Sequence, residues 1–378
     1  MKKFELTSET KINIFGKKLF RIKALISFAD VEAGETGGWV EKEGNVNQSG
    51  NAWVYGDAMV SGNAIVYGDA KVSDNAKVSG DAWVSVNAEV SGDAWVYGNA
   101  KVYGNTKVSG NAEVSGNAKV YGNAEVSDNA KVYGNAEVYG NAEVSGDAWV
   151  YGNAKVYGNA KVYGNAEVSG DAEVYGDAEV YGNAKVYGNT KVSGNAEVSG
   201  DAWVSVNAKV SGNAWVSDNA KVYGNTKVSG NAEVSGNAKV YGNAEVSGNA
   251  KVYGNAEVSG DAWVSVNAKV SGNAWVYGNA EVSGDAWVYG NAKVYGNAEV
   301  SGDAEVYGNA DYTTIHGFGT QFRTTTFFRC KDKKVRVACG CFFGTIPEFR
   351  EQVKNTRKGK IAEEYLMIAD LMENHFEK

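Results

Sequence analysis

Histidine is nearly missing from this chain: in 378 residues there are two, His316 and His375. Proline occurs once, as Pro347, and cysteine three times, as Cys330, Cys339 and Cys341. The scarcity of histidine removes the commonest general base and metal ligand from most of the sequence. No apolar run reaches the ~18 residues that read as a membrane-spanning helix, so no membrane partner is implied. Met1-Lys2-Lys3 leads into Phe4-Glu5-Leu6-Thr7 and not into an apolar signal core. With three clustered cysteines, this gives the expectation of a reduced, cytoplasmic protein.

What the chain does contain is repetition. From Asn51 to Gly308 it runs through 43 hexapeptides without an insertion, of the form [Asn/Asp]-[Ala/Thr]-x-Val-[Tyr/Ser]-Gly, with Gly replaced by Asp at 74, 128 and 218 and by Val at 86, 206 and 266. Slot four is Val throughout. Slot two is Ala except at Thr106, Thr190 and Thr226. Lying two residues apart, these slots share one side of an extended strand. Slot three, facing the other way, holds 17 Lys, 15 Glu, 9 Trp, Met59 and Ile65. Alternation of this kind marks a half-buried strand. Gly and Asn or Asp follow, residues that tolerate positive φ and make a corner. A short strand and a sharp corner, repeated without drift, predict a solenoid whose narrow interior is filled by Val and Ala.

The charges in slot three test the size of a coil. With three hexads per turn, residues 18 apart stack, giving 14 opposite-charge and 8 like-charge pairs. Two hexads per turn gives 16 and 10, and four gives 9 and 14. Like charges opposed across a sheet destabilise it, so four sides are disfavoured while two and three remain open. Longer copies lie inside the short period. Asp81–Val86 returns as Asp201–Val206 and Asp261–Val266, at shifts of 120 and 60 residues. Neither shift is a multiple of 18, so copied blocks fall on different faces of a three-sided coil, and the faces read as interchangeable.

The order Ala-x-Val followed by a turn resembles the hexapeptide-repeat, left-handed β-helix proteins. That resemblance implies three hexads per triangular coil. It leads to an all-β solenoid, a three-sided, left-handed parallel β-helix of about 14 coils at ~4.8 Å per layer, on the order of 70 Å long. The family usually places Gly, Ala, Glu or Asp after the aliphatic residue, whereas this chain has Tyr or Ser there.

Three domains are expected: 1–50, 51–310 and 311–378. In the first, Phe4–Leu6, Lys11–Phe15 and Leu19–Phe28 read as short strands with a turn at Gly16-Lys17-Lys18. Asp30-Val31-Glu32-Ala33-Gly34 and Gly37-Gly38-Trp39-Val40 then lead into a degenerate hexad, Asn45–Gly50, where Gln48 replaces the core Val. Bare strand edges invite stacking, and this β-rich segment reads as an N-terminal cap. Its Asp-Val-x-Ala-Gly and Gly-Gly-Trp runs resemble the start of YdcK-like hexapeptide-repeat proteins. In the last domain, Thr324–Cys330 and Val335–Phe343 read as strands joined at Asp332-Lys333-Lys334. A helix over Pro347–Thr356 is capped by Thr345. A second over Lys360–Phe376 places Ile361, Tyr365, Ile368, Met372 and Phe376 on one stripe. This ββαα module reads as a C-terminal cap. Its Thr-Thr-Phe-Phe-Arg and Cys-Gly-Cys-Phe pattern resembles the tails of hexapeptide-repeat proteins of phages and gut bacteria, which implies a phage or mobile-element setting.

Catalysis finds little to work with. Hexapeptide-repeat acyltransferases use a histidine base between subunits and β-helical carbonic anhydrases hold zinc with three histidines, whereas these repeats have none. An acyltransferase-like enzyme is thus a disfavoured alternative, and no cofactor is implied. Cys330, Cys339 and Cys341 form a weak zinc candidate, because C-x-C is not the usual C-x₂-C knuckle; reduced structural thiols are the simpler reading. The repeats carry 17 Lys against 15 Glu and 14 Asp. That is one net charge per ~6 Å against ~1.7 Å for duplex DNA, so nucleic-acid binding or mimicry is disfavoured.

The expected function is a non-enzymatic scaffold or binding rod, a monomer or small homo-oligomer, with a protein or glycan partner. An aromatic surface for glycan, or an ice-binding face, is the remaining alternative. Individual chemistry gathers in residues 311–378, where Arg323, Arg329, Lys354, Arg357, Lys358 and Lys360 are candidate partner contacts.

Overall fold

The computed structural model describes residues 2–377 and separates into two compact units, one ending at Asn195 and one starting at Ala196. In the first unit the chain opens with a three-stranded antiparallel sheet, Phe4–Ile12, Lys18–Ala24 and Thr36–Val40. The two strands expected over Phe4–Leu6 and Lys11–Phe15 are one, with a register irregularity between Leu6 and Thr10. The second strand stops at Ala24, short of Phe28. Asn13 sets the turn between them: its Oδ1 accepts from the amides of Phe15 and Lys17 at 3.0 and 2.9 Å. Trp39 and Val40 then pair in parallel with Met59 and Val60, which joins the cap to the first coil.

From there each hexad contributes one strand of two to four residues, and strands 18 residues apart pair in parallel. Lys71 lies beside Glu89, and Glu89 beside Lys107. Three such stacks form three sheets, so each coil has three sides. Every described Ala and Val in slots two and four is fully buried. The three threonines that replace Ala are buried too: Thr190 donates to the Tyr187 carbonyl at 2.7 Å, while the hydroxyls of Thr106 and Thr226 have no partner. Glycine at the corners is required by conformation, as at Gly116, whose φ is +66° and where a Cβ would sit 3.0 Å from the Gly134 backbone.

Most inter-coil hydrogen bonds of the corners and strand ends run one way. Asn51, Trp53 and Tyr55 donate their amides to the carbonyls of Gly68, Ala70 and Val72, each 17 residues on. The first coil is therefore left with carbonyls facing the cap. The cap answers with side-chain donors. Lys3 Nζ donates to Gly50 and Ala52, and Asn45 Nδ2 to Gly62 and Ala64. Gln48, in the slot of a core Val, turns to the cap and accepts from the amides of Lys3 and Phe4.

The second unit is built by the same three-sided stacking within itself and ends in the C-terminal module. Within it Trp203 and Trp263, in copied hexapeptides, belong to different sheets, as the 60-residue shift requires. The last coil presents mainly amides, and here the cap supplies acceptors, although Tyr312 and Lys331 also donate to its Lys293 and Asp303 carbonyls. Asn309 Oδ1 takes the amide of Lys293 at 2.8 Å, and Thr326 Oγ1 that of Glu299 at 2.9 Å.

The module has four strands, not two, before its helices: Tyr312–Phe318, Arg323–Arg329, Val335–Cys339 and Phe342–Thr345, in antiparallel order. The strand expected to run through to Phe343 breaks at Gly340, whose φ of +62° turns the chain back so that Cys339 pairs with Phe342. Helices α1 (Ile346–Thr356) and α2 (Lys360–Phe376) follow. Thr345 and Glu348 cap α1 reciprocally, each side chain accepting from the other's amide. Phe327 and Val337 on the helix-facing side pack with Phe349, Val353, Tyr365, Ile368, Met372 and Phe376 in one core. The other side of the sheet, with Thr326 and Cys330, meets the last coil: Cys330 bridges to Ala304. Among the described residues no helix is long and apolar enough to cross a membrane.

Candidate functional site

Side chains on the repeats largely engage one another. A slot-three residue stands against its counterpart 18 positions away, as in Lys119–Glu137 and Lys239–Glu257, both 2.9 Å ion pairs. Tyrosines in slot five stack on those of the next coil. Tyr103, Tyr121, Tyr139, Tyr157 and Tyr175 form one column with ring centroids 4.8–5.1 Å apart. A tyrosine hydroxyl also reaches the glutamate 16 positions on, as Tyr163 does to Glu179 at 2.8 Å. Several indoles are covered by lysines of adjacent coils: Lys77 lies 4.5 Å from the Trp95 ring centre, and Lys221 5.0 Å from that of Trp203.

At the corners, asparagines form ladders. Asn87, Asn105, Asn123, Asn141 and Asn159 each donate Nδ2–H to the next side chain at 2.8–3.1 Å, and the run ends on Asp177. Aspartate ends it because a carboxylate accepts but has no N–H to pass on. Three aspartates stand at corners in place of Gly with φ near +59°. Asp74, Asp128 and Asp218 each accept from the amide of the Gly 18 positions on, at 2.9–3.0 Å.

The C-terminal module holds a cavity of about 90 Å³ between the Gly319–Gln321 turn, the Cys339–Phe342 turn, the end of α1 and the start of α2. Arg323, at the head of its strand, reaches it across Gly340, where an added methyl would collide with the guanidinium. Arg357 comes from the C-cap of α1. Tyr365 of α2 is buried, and its hydroxyl donates to the Phe318 carbonyl at 3.3 Å. Burial, and then the neighbouring Cys339, push the Tyr365 phenol up from its usual value. Thr325 Oγ1 donates to the Cys339 sulfur at 3.1 Å.

The six candidate contacts do not act together. Arg323 and Arg357 share the cavity, whereas Arg329 is held by Asp311 and by the Phe376 carbonyl. Lys354, Lys358 and Lys360 are exposed and outside it. The cysteines also divide. Cys339 and Cys341 line the cavity on the helix side of the sheet. Cys330 lies on the coil side, where burial and then the adjacent Asp303 push its thiol up to about 12. The three thiols of the weak zinc candidate are therefore not gathered, because Cys330 and Cys339 stand on opposite faces of the sheet. Among the described residues no group of three or more His, Cys, Asp or Glu is placed to hold a metal ion. Gln321, Gln352 and Tyr365 were not anticipated as site residues. Tyr365 fits the α2 core stripe, and nothing in the sequence links the glutamines to the arginines.

The sequence profile of the YdcK Beta solenoid repeat matches residues 52–68. No curated protein matches the chain.

Proposed function

For this YdcK-like β-solenoid repeat protein, we propose a non-enzymatic scaffold in which the repeats supply a stiff, self-paired support and the module at 311–378 carries recognition of a protein partner. The observation behind this reading is the contrast in how side chains are engaged. On the repeats, lysines pair with glutamates, tyrosines stack, asparagines form ladders and lysines cover indoles. Surfaces built this way repeat every coil and discriminate poorly between partners. The module instead has irregular, individually placed groups. A cytoplasmic setting and a phage or mobile-element origin belong to the same reading.

The test is a comparison of the wild-type chain with a variant carrying Arg357→Glu and Lys358→Glu, using cross-linked capture from a bacterial lysate and a matched far-UV spectrum. Loss of the captured species in the folded variant supports recognition by the module. Capture that is unchanged overturns that role and returns it to the repeats.

A further inference from the structure

Five of the chain's six arginines lie in the C-terminal module. Three are neutralised there: Arg329 by Asp311, Arg336 by Asp332, and Arg350 by Asp370 with Glu373. Arg323 and Arg357 form no ion pair among the described residues, and these two border the same cavity. No carboxylate lines that cavity; its other polar groups are neutral, among them Gln321, Gln352 and the Tyr365 hydroxyl. One acidic group senses Arg323 from outside, Glu299 of the last coil, whose carboxyl is pushed up by burial and then by Glu281 and pulled down by Arg323. Two unpaired guanidinium groups converging on a small recess, with neutral donors beside them, are the chemistry of an oxyanion receptor.

We propose that this recess binds a phosphate dianion, free or as the exposed end of a monoester, between Arg323 and Arg357. Size limits the ligand. About 90 Å³ is several times the ~10–15 Å³ that one water centre occupies, which is enough for a tetrahedral anion. Charge sets the preference for a dianion, since two fixed cations face it. The guanidinium of each arginine offers paired N–H donors that match two phosphate oxygens. Position is built in by the fold: Gly340 leaves room for Arg323 to cross the turn, and Gly319 leaves room for the Tyr365 hydroxyl, 2.6 Å from where a Cβ would stand. This site does not depend on the scaffold reading and stands equally if the module serves only as a cap.

Titration of the full chain with inorganic phosphate at constant ionic strength, followed by calorimetry, tests the site. Saturable one-to-one binding is expected. R323Q and R357Q should each weaken it at least tenfold, while K354Q, on the same helix but outside the recess, leaves it unchanged. G340A keeps every charge and displaces Arg323, and it should weaken binding as R323Q does. A second readout avoids affinity altogether: Cys341 is exposed at the rim, so phosphate should slow its alkylation by iodoacetamide in the wild type and not in R357Q. A parallel titration with O-phosphoserine separates the sources. Tighter binding than inorganic phosphate assigns the monoester, and weaker binding the free ion. Absence of saturable binding by either probe, or equal losses in K354Q and R357Q, overturns the proposal.

Discussion

The ammonium of Lys3 donates to the Ala52 carbonyl at 2.8 Å and to Gly50 at 3.2 Å, and Lys3 is 2% exposed. One side chain thus closes two of the carbonyls that the first coil turns toward its end, and it does so over the face of Phe28, 4.8 Å from the ring centre.

Replacing Lys3 by Met keeps the stem and leaves both carbonyls without a donor. An unsatisfied buried polar group costs about 1–3 kcal/mol, partly offset by no longer burying an ammonium. A net loss of about 2 kcal/mol is expected in denaturant unfolding of the wild type against K3M. Burial lowers the Lys3 pKa from 10.5 to about 8. Between pH 8 and 10.5 the unfolded chain therefore binds the extra proton, and the lysine's contribution to stability rises with pH across that window. K3M should lack this rise, which paired unfolding curves at pH 8 and pH 10 will show.

The asparagine ladders predict that position decides the cost of an Asn-to-Asp change. Asn123→Asp removes one donor between two amides and should cost about 0.5–1.5 kcal/mol. Asn159→Asp sets a carboxylate against Asp177, now its acceptor at 2.8 Å, and should cost more at neutral pH. Mutual repulsion raises the folded-state pKa of that pair, so the excess cost is absent at low pH and appears as pH rises through about 4. Thermal melts of N123D and N159D at pH 3 and pH 7 compare them directly. Equal costs at pH 7 would rule out the ladder account.

Val266 stands in a corner slot with φ of +61°, half exposed, as do Val86 and Val206. A β-branched residue held in the left-handed region costs about 1–3 kcal/mol. Val266→Gly should therefore stabilise the protein by about 1 kcal/mol after the extra backbone entropy of glycine. A lower unfolding midpoint for V266G would sink this expectation.

The tyrosine column makes the fold sensitive to alkali. Burial, followed by the charge of Glu173, raises the Tyr157 pKa to about 12. Stability from keeping this phenol neutral is complete below pH 10 and is lost as pH rises through 12. Tyr157→Phe should unfold later than the wild type in that interval, and ultraviolet titration of tyrosinate will report whether the phenol ionises with unfolding.

The hexad made the repeat region legible because Val and Ala in alternate slots leave one side only for the core, and the 18-residue register of Glu89 with Lys107 follows from three sides. The module was harder to read. Tyr312–Phe318 is rich in threonine and lacks apolar alternation, so its pairing with Arg323–Arg329 depends on tertiary contact. Gly340 lies within what looks like one alternating strand, and only its positive φ reveals a turn. Arg323 and Arg357 meet because α1 packs through Phe349 and Val353 onto the sheet. No local pattern encodes that meeting.

The one-way run of amide donors gives the two termini opposite hydrogen-bonding sense. Carbonyls dominate where Lys3 and Asn45 sit, and amides where Thr326 and Asn309 sit. Two bared leading ends would oppose acceptor to acceptor, and two bared trailing ends donor to donor. Fibre growth is then possible only head to tail, so a single intact terminus on each molecule halts it. By this geometry, closure of either end is enough to stop growth by that route.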